Sequence, residues 1–369
     1  MPLFRRAVLE GHKSRVWHVS WHPTLPLLAS CSEDKSIKIW SPVPSADVPA
    51  PKLFSSIWHS VAELDGFSTR TVRCCEWSPC GRLLAATSFD GNTTIWRVGG
   101  RALANGALSW VLNAGGVGAG DLSFEVLVSL DGHESEVKGV AWSPSGELLA
   151  TSGRDKSVWL WEAVEEGSDF ECIAVLHGHE QDVKSVTWHP NRDILVSCSY
   201  DDSIKAWGEA ADDWLAYQSI ASSHTSTVWS TAWHAKGRCL ASVGDDGALR
   251  LWTANPQVLG SSGTGVDGAL HLSRSAEVLD AHSRTAFSVH WAGPCVGGDG
   301  IIATCGADDS IRLFKVDGEL SEGGAINITH LPSQPHAHSG DINSIRWHGT
   351  LPLLASAGDD CLVKLWEFT

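Results

Sequence analysis

Residues 131–162 read DGHESEVKGVAWSPSGELLATSGRDKSVWLWE, and the order of side chains in this stretch decides the fold. A Gly-His pair opens it, and an alternating segment leads to Trp142 and the turn SPSG. The apolar run LLATS follows, then a turn at Asp155 and the alternating SVWLW. Period-two alternation bounded by Gly, Pro, Ser and Asp marks short strands joined by tight turns. The unit recurs. Seven segments with a Trp, a polar turn and an apolar run begin at Trp21, Trp77, Trp142, Trp188, Trp233, Trp291 and Trp347. Each leads to an Asp and, six residues on, an aromatic: Asp34/Trp40, Asp90/Trp96, Asp155/Trp161, Asp201/Trp207, Asp246/Trp252, Asp308/Phe314 and Asp360/Trp366.

Ahead of these stand His12, His133, His179, His224, His282 and His338. From His to the closing aromatic is 28 residues in five repeats and 32 in the sixth, where GPCVGGDG lengthens a hairpin. Four short strands per unit, with GH near one end and Trp at the other, predict an all-β, seven-bladed WD40 β-propeller. The Trp-Asp dipeptide occurs nowhere, so spacing carries the assignment. Its physical basis is a buried relay in which His, a strand hydroxyl, the turn Asp and the indole N–H satisfy one another. Repeat 2, DGFSTRTV, offers Phe67 or Ser68 in place of His and predicts an incomplete relay.

FEVLVSL, FECIAVL and WLAYQSI read as the outermost strands of the blades they end. Only three residues follow Trp366, while RRAVLE (Arg5–Glu10) precedes the first GH as a spare strand. Pairing the two closes the circle and removes an open edge. The expected organisation is one domain over 1–369. Its blades span roughly 11–64, 65–130, 131–176, 177–221, 222–280 and 281–336, with 337–369 plus 3–10 as the last. The surplus length falls in 41–60, 99–120, 254–275 and 317–335, which are Pro-, Ser- or Gly-rich and read as flexible loops.

Composition narrows the function. With 27 Lys plus Arg against 43 Asp plus Glu, the formal charge is −16, which argues against nucleic-acid and anionic-membrane partners. No stretch nears the roughly 20 apolar residues of a membrane span, and MPLFRRAVLEGHKSR lacks a signal-peptide core, which predicts a cytosolic or nuclear protein. The 10 Cys contain no C-x-x-C, and Cys31, Cys198 and Cys305 hold equivalent strand positions, as small buried hydrophobes would. Of 17 His, six occupy the GH position and His22, His189, His234 and His348 each follow a repeat Trp in a hairpin turn. His336 and His338 are a weak metal signal only. No nucleophile elbow, P-loop or dinucleotide fingerprint is present, so no catalytic residue, metal or cofactor is expected.

The chemistry falls instead on one face. In this fold the residue before each turn Asp points to the top surface, giving Glu33, Phe89, Arg154, Tyr200, Asp245, Ala307 and Asp359. The residue five after each GH His, or its counterpart in repeat 2, gives Trp17, Arg73, Lys138, Lys184, Trp229, Phe287 and Asn343. A basic sector of Arg73, Lys138, Lys184 and Arg154, flanked by Phe89 and Tyr200, thus lies beside an aromatic sector of Trp229, Phe287 and Trp17. That pairing suits a partner segment bearing carboxylates and an aromatic. The competing expectation is that the cations are neutralised by Glu136 and Asp182.

HESEVKGVAWSPSGELLATSGRDKSVWLWE resembles the WD40 component of the cytosolic iron–sulfur protein assembly machinery. WSPCGRLLAATSFD, SYDDSIKAW, DDWLAYQSI and HTSTVWS resemble it as well, and the likeness runs through all seven blades. It is most specific at SGRDKSVWLWE, where Arg154 matches the family's characteristic arginine. The resemblance implies a scaffold that holds no cluster itself and joins a DUF59-type partner and a HEAT-repeat adaptor. It further implies contact with an iron-only-hydrogenase-like cluster carrier and delivery of clusters to apo iron–sulfur proteins. The missing GH in repeat 2 and the 99–120 insertion depart from the family pattern. The alternative class is a substrate receptor or adaptor for a ubiquitin ligase or another complex. Against it, no F-box-like helix precedes blade 1 and no Trp-Asp-x-Arg box follows a third strand.

Overall fold

The computed structural model describes residues 3–42, 57–101, 120–164, 167–211, 213–256, 266, 269–294, 296, 300–318 and 326–369. Its strands form seven four-stranded antiparallel sheets. The innermost strands of blades 1 to 7 are Val16–Trp21, Val72–Trp77, Val137–Trp142, Val183–Trp188, Val228–Trp233, Ala286–Trp291 and Ile342–Trp347. Each packs against the innermost strands of both neighbours, and blade 7 meets blade 1, so the ring is closed.

Closure uses the chain ends. Leu3–Leu9 is the fourth strand of blade 7, paired from Leu3↔Phe368 to Leu9↔Val363. The outer strands Ser123–Leu130, Asp169–Leu176 and Asp213–Ile220 lie where the apolar patterns place them. Trp58–Leu64, Leu270–Val278 and Ile326–His330 are also outer strands, although they overlap stretches expected to be loops. One face of such a strand meets water, so polar composition conceals it. Residues 43–56, 102–119, 257–265, 267–268 and 319–325 of those expected loops lie outside the described residues.

The core is divided among the junctions. Seven buried apolar clusters each join two adjacent blades; Leu149, Trp142 and Trp161 of blade 3 thus pack with Cys74, Ile95 and Leu130 of blade 2. Trp21, Trp142, Trp188 and Trp291 donate their indole N–H to the carbonyls of Arg346, Glu76, Ala141 and Ala232 in the preceding blade, at 3.0–3.1 Å. In these four blades indole fills the junction and satisfies a carbonyl at once, whereas the buried indole N–H groups of Trp77, Trp233 and Trp347 meet no acceptor among the described residues and serve by packing.

The relay forms as the spacing predicts. In blade 1, Trp40 donates to Ser30 at 2.8 Å, Ser30 lies 2.8 Å from His12 Nε2, and His12 Nδ1 lies 2.9 Å from Asp34. Blade 2 solves the missing His with two residues. Ser68 donates to Asp90 at 2.8 Å, while Phe67 stacks edge-on against Trp96 at 4.4 Å. Ala86 stands where the other blades carry Ser or Thr, so the Trp96 indole has no hydroxyl to meet there. In blade 6, Phe314 has no N–H, and the relay stops at Thr304, 2.7 Å from His282. The residue after every turn Asp has positive φ: Lys35, Gly91, Lys156, Asp202, Gly247, Asp309 and Cys361. Five of these are not glycine, so the Asp network holds the turn against an intrinsic cost of roughly 1–2 kcal/mol at each.

The four turn histidines clamp the bottom face. His189 Nε2 donates to the Gly237 carbonyl of the next blade at 3.1 Å, and its ring meets Trp233 edge-on at 4.8 Å. Gly237 has φ +68°, and an added Cβ would lie 2.1 Å from His189 Nε2. Gly237→Ala is therefore expected to cost about 2–3 kcal/mol, from left-handed strain and displacement of the imidazole. Urea unfolding measures it; a loss under about 0.5 kcal/mol would show that the clamp yields freely.

Candidate functional site

Two backbone devices build the top face. In every innermost strand the pairing register slips by one residue, between Val16/His18, Val72/Cys74, Val137/Gly139, Val183/Ser185, Val228/Ser230, Ala286/Ser288 and Ile342/Ser344. The residues skipped are Trp17, Arg73, Lys138, Lys184, Trp229, Phe287 and Asn343, which are the second ring of the sequence argument. A bulge leaves its extra residue out of the ladder and re-aims the side chain. The other ring is fixed by its own N–H. Phe89, Arg154 and Tyr200 donate to the carbonyls of Thr71, Glu136 and Asp182, each at 2.9 Å, and the other blades repeat the bond at 2.9–3.1 Å.

Five predicted residues meet in one cavity of about 340 Å³, lined by Phe89, Lys138, Arg154, Lys184 and Tyr200 with Glu136, Gln181 and Asp182. Arg73, Lys138, Lys184, Trp229 and Phe287 line a second cavity of about 280 Å³, the mouth of the central channel. Trp17 borders neither; it lies beneath the guanidiniums of Arg73 at 4.9 Å and Arg15 at 5.6 Å. The basic and aromatic groups are therefore interleaved, not separated into sectors. Lys184 Nζ sits 4.9 Å from the Tyr200 ring and 4.8 Å from the Trp229 ring, within cation–π range of both. Trp229 meets Phe287 edge-on at 5.0 Å and donates to Asp245 at 2.6 Å.

Trp17 and Trp229 are only half-exposed, covered by those cations and rings. The open groups are Arg154, whose side chain retains 59% of its exposure, and Tyr200 at 55%. Lys184 retains only 9%.

The neutralising pairs also form. Arg154 reaches both Glu136 oxygens at 3.2 Å, and Asp182 pairs with Lys138 and, at 3.7 Å, with Lys184. Arg70, which pattern reading passes over, shares Glu136 at 3.2 Å and covers Phe89 at 5.9 Å. Burial pushes the Glu136 carboxyl up, but hydrogen bonds from Ser135 and Arg154 prevail and hold it near 2. The Lys184 ammonium is pushed down to about 8 by burial and by Lys138 and Arg73, against the pull of Asp182. In the sector of blades 2 to 4, Arg70, Arg73, Lys138, Arg154 and Lys184 are five cations against the two carboxylates Glu136 and Asp182, a local excess of +3 on a chain of −16; Glu33, Asp245 and Asp359 lie on the rest of the face. An Arg flagging this face was legible; the bulge and the Arg70 contact were not.

Beneath this face Arg346 bridges Glu76 at 3.7 Å and His18 at 2.8 Å. Burial holds the thiol of Cys74 up near 12, in its protonated form at neutral pH. His338 is engaged by Asp360 and Ser356, both at 2.7 Å, which explains its spacing without a metal.

Ring closure, the relay and a cation-rich channel mouth define a WD40 propeller, and the family model for the WD domain, G-beta repeat, matches residues 4–41, 58–97, 124–162, 170–208, 217–253 and 330–367. Blade 6, with Phe314 and its long hairpin, falls largely between the last two matches. The chain is 40% identical over 365 residues to "Probable cytosolic iron-sulfur protein assembly protein Ciao1" of Culex quinquefasciatus, covering 98% of this chain and 96% of that one. It is 37% identical over 373 residues to "Probable cytosolic iron-sulfur protein assembly protein 1" of Vanderwaltozyma polyspora, covering 98% and 97%. The protein of the same name in Cryptococcus neoformans is 36% identical over 439 residues, covering 97% of each chain. The chain belongs to the cytosolic iron–sulfur protein assembly protein 1 family of WD40 propellers.

Proposed function

We propose that this protein acts in cytosolic iron–sulfur protein assembly as a non-catalytic scaffold of the targeting complex. It docks a DUF59-type partner, a HEAT-repeat adaptor, an iron-only-hydrogenase-like cluster carrier and apo iron–sulfur clients, in the cytoplasm and also in the nucleus. The observation that carries this proposal is the exposed Arg154 at the lip of a cation-lined, aromatic-walled cavity on an acidic chain. Family membership directs it to iron–sulfur assembly.

The docking chemistry follows from the pairs. Glu136 holds Arg154 and Arg70 in place but neutralises only one of them, so a partner carboxylate can take the second guanidinium without leaving Glu136 bare. Tyr200 and Phe89 supply flat apolar walls for an aromatic side chain. An Arg–carboxylate bond framed by aromatics contributes about 1.5–3 kcal/mol. Co-purification from cells with the tagged DUF59-type partner and one iron–sulfur client tests the proposal: both are expected with the wild-type chain, and absence of both would overturn it.

A further inference from the structure

The channel mouth is more positive than its neighbours can balance. Arg346 is spoken for by Glu76, which also accepts from Ser20 at 2.7 Å. The remaining lining cations are Arg73, Lys138 and Lys184, and the carboxylate at their lip is Asp182, already paired with Lys138. Three cations less one carboxylate leave +2 on the wall that blades 2, 3 and 4 give to a cavity of about 280 Å³, with Asp245 across the rim engaged by Trp229. Among the described residues no carboxylate comes within ion-pairing distance of Arg73, whose guanidinium lies over the Trp17 ring at 4.9 Å. His18 and His290 add no charge at neutral pH, because burial and Arg346 hold both imidazoles well below their ordinary range. Like charges gathered in a recess destabilise a fold unless an anion is there to meet them.

We infer that the channel mouth binds a phosphate-type dianion between Arg73, Lys138 and Lys184, either as free inorganic phosphate or as a phosphate carried on a side chain. The charge of the ligand matches the excess of the cavity. Its three cations converge from the bulge positions of blades 2, 3 and 4, so their spacing is set by backbone register. The recess admits a small group and not a folded surface, since Lys184 keeps only 9% of its exposure. A carboxylate monoanion would leave one charge unmatched. This site adjoins the docking face, since Lys138 and Lys184 line both cavities, while Arg73 belongs to the channel cavity alone.

Isothermal titration of the full chain with inorganic phosphate, at an ionic strength fixed with sodium chloride, tests the inference. Saturable one-to-one binding is expected, at least tenfold weaker in Arg73→Gln and in Lys184→Gln, with acetate giving none. O-phosphoserine binding as tightly as phosphate would support a side-chain-borne ligand; phosphate alone would support the free ion. No saturable phosphate binding, or binding undiminished in both folded variants, would overturn the site. The capture assay of the preceding section, run beside it, separates the two proposals. Phosphate binding without partner capture removes the scaffold proposal alone, and capture without phosphate binding removes the dianion site alone.

Discussion

Replacing Asp246 by alanine is expected to cost about 3–5 kcal/mol of unfolding free energy, against about 1–2 kcal/mol for Asp90→Ala. Asp246 accepts from His224 Nδ1 at 2.9 Å, from the backbone N–H of Thr225 at 3.0 Å and Ala248 at 3.1 Å, and from Arg250 at 2.7 Å. Burial works against its ionisation, yet His224, Thr225 and Arg250 hold the carboxyl far below the usual range. Its loss leaves Arg250, whose side chain is only 5% exposed, with Glu277 at 3.2 Å as its remaining carboxylate. Removing Asp246 takes one of two carboxylates from the buried Arg250 and the acceptor from His224, which costs more than a surface pair contributes. Asp90 meets Ser68, Thr69 and Asn92 but neither His nor cation, so its loss strands no charge. Urea unfolding of the two variants side by side measures the difference. Equal losses would mean that the relay acts as one interchangeable set of turn bonds.

The second large effect is a loss of stability in mild acid. Burial lowers the imidazoles of His22 and His348 to about 4, and burial with Arg346 lowers that of His290 to about 3. In the unfolded chain these groups take up protons near pH 6.5, while in the folded chain they remain neutral. The unfolded state therefore binds more protons below pH 6.5, and the stability present above that pH is lost as pH falls toward 4. Three such groups give on the order of 4 kcal/mol between pH 7.5 and 5.5. Glu76, raised by burial, opposes the trend at the lower end. The turn carboxylates add a second loss only below about pH 4, since Asp155, opposed by burial but held by His133 and Ser157, titrates near 2. Urea midpoints at pH 7.5 and 5.5 read the first loss directly; an unchanged midpoint would mean that these imidazoles gain protons without unfolding.

Much of this was legible in the sequence because the repeat makes each element seven times. The spacing from His12 to Trp40 recurs and fixes the blade, and the spare apolar strand ahead of His12 pairs with the strand that carries Trp366. Outer strands such as Leu270–Val278 were harder, since one face is solvated and the pattern there resembles a polar loop. At the site, the residue types were legible and their surroundings were not. Nothing local to Lys184 announces that it lies between Tyr200 and Trp229 from the blades on either side of the junction. Nor does the sequence near Arg154 reveal that Arg70, 84 positions earlier, shares its Glu136. Contacts between blades depend on a ring closed over the whole chain, and no window of the sequence contains them.

Charge reversal at Arg154 tests whether this side chain anchors the proposed docking face. Arg154→Glu places a carboxylate beside Glu136 at a side chain that is 59% exposed, so it inverts the face while leaving the relay Asp155 and its bonds in place. Wild-type and variant chains, both shown to be folded by circular dichroism, are to be compared in co-purification with the DUF59-type partner and one iron–sulfur client. A folded variant that loses at least one of the two by tenfold or more is the predicted result. Capture of both at wild-type levels would contradict the account, leaving Arg154 a surface ion-pair partner of Glu136 and the docking surface elsewhere on the propeller.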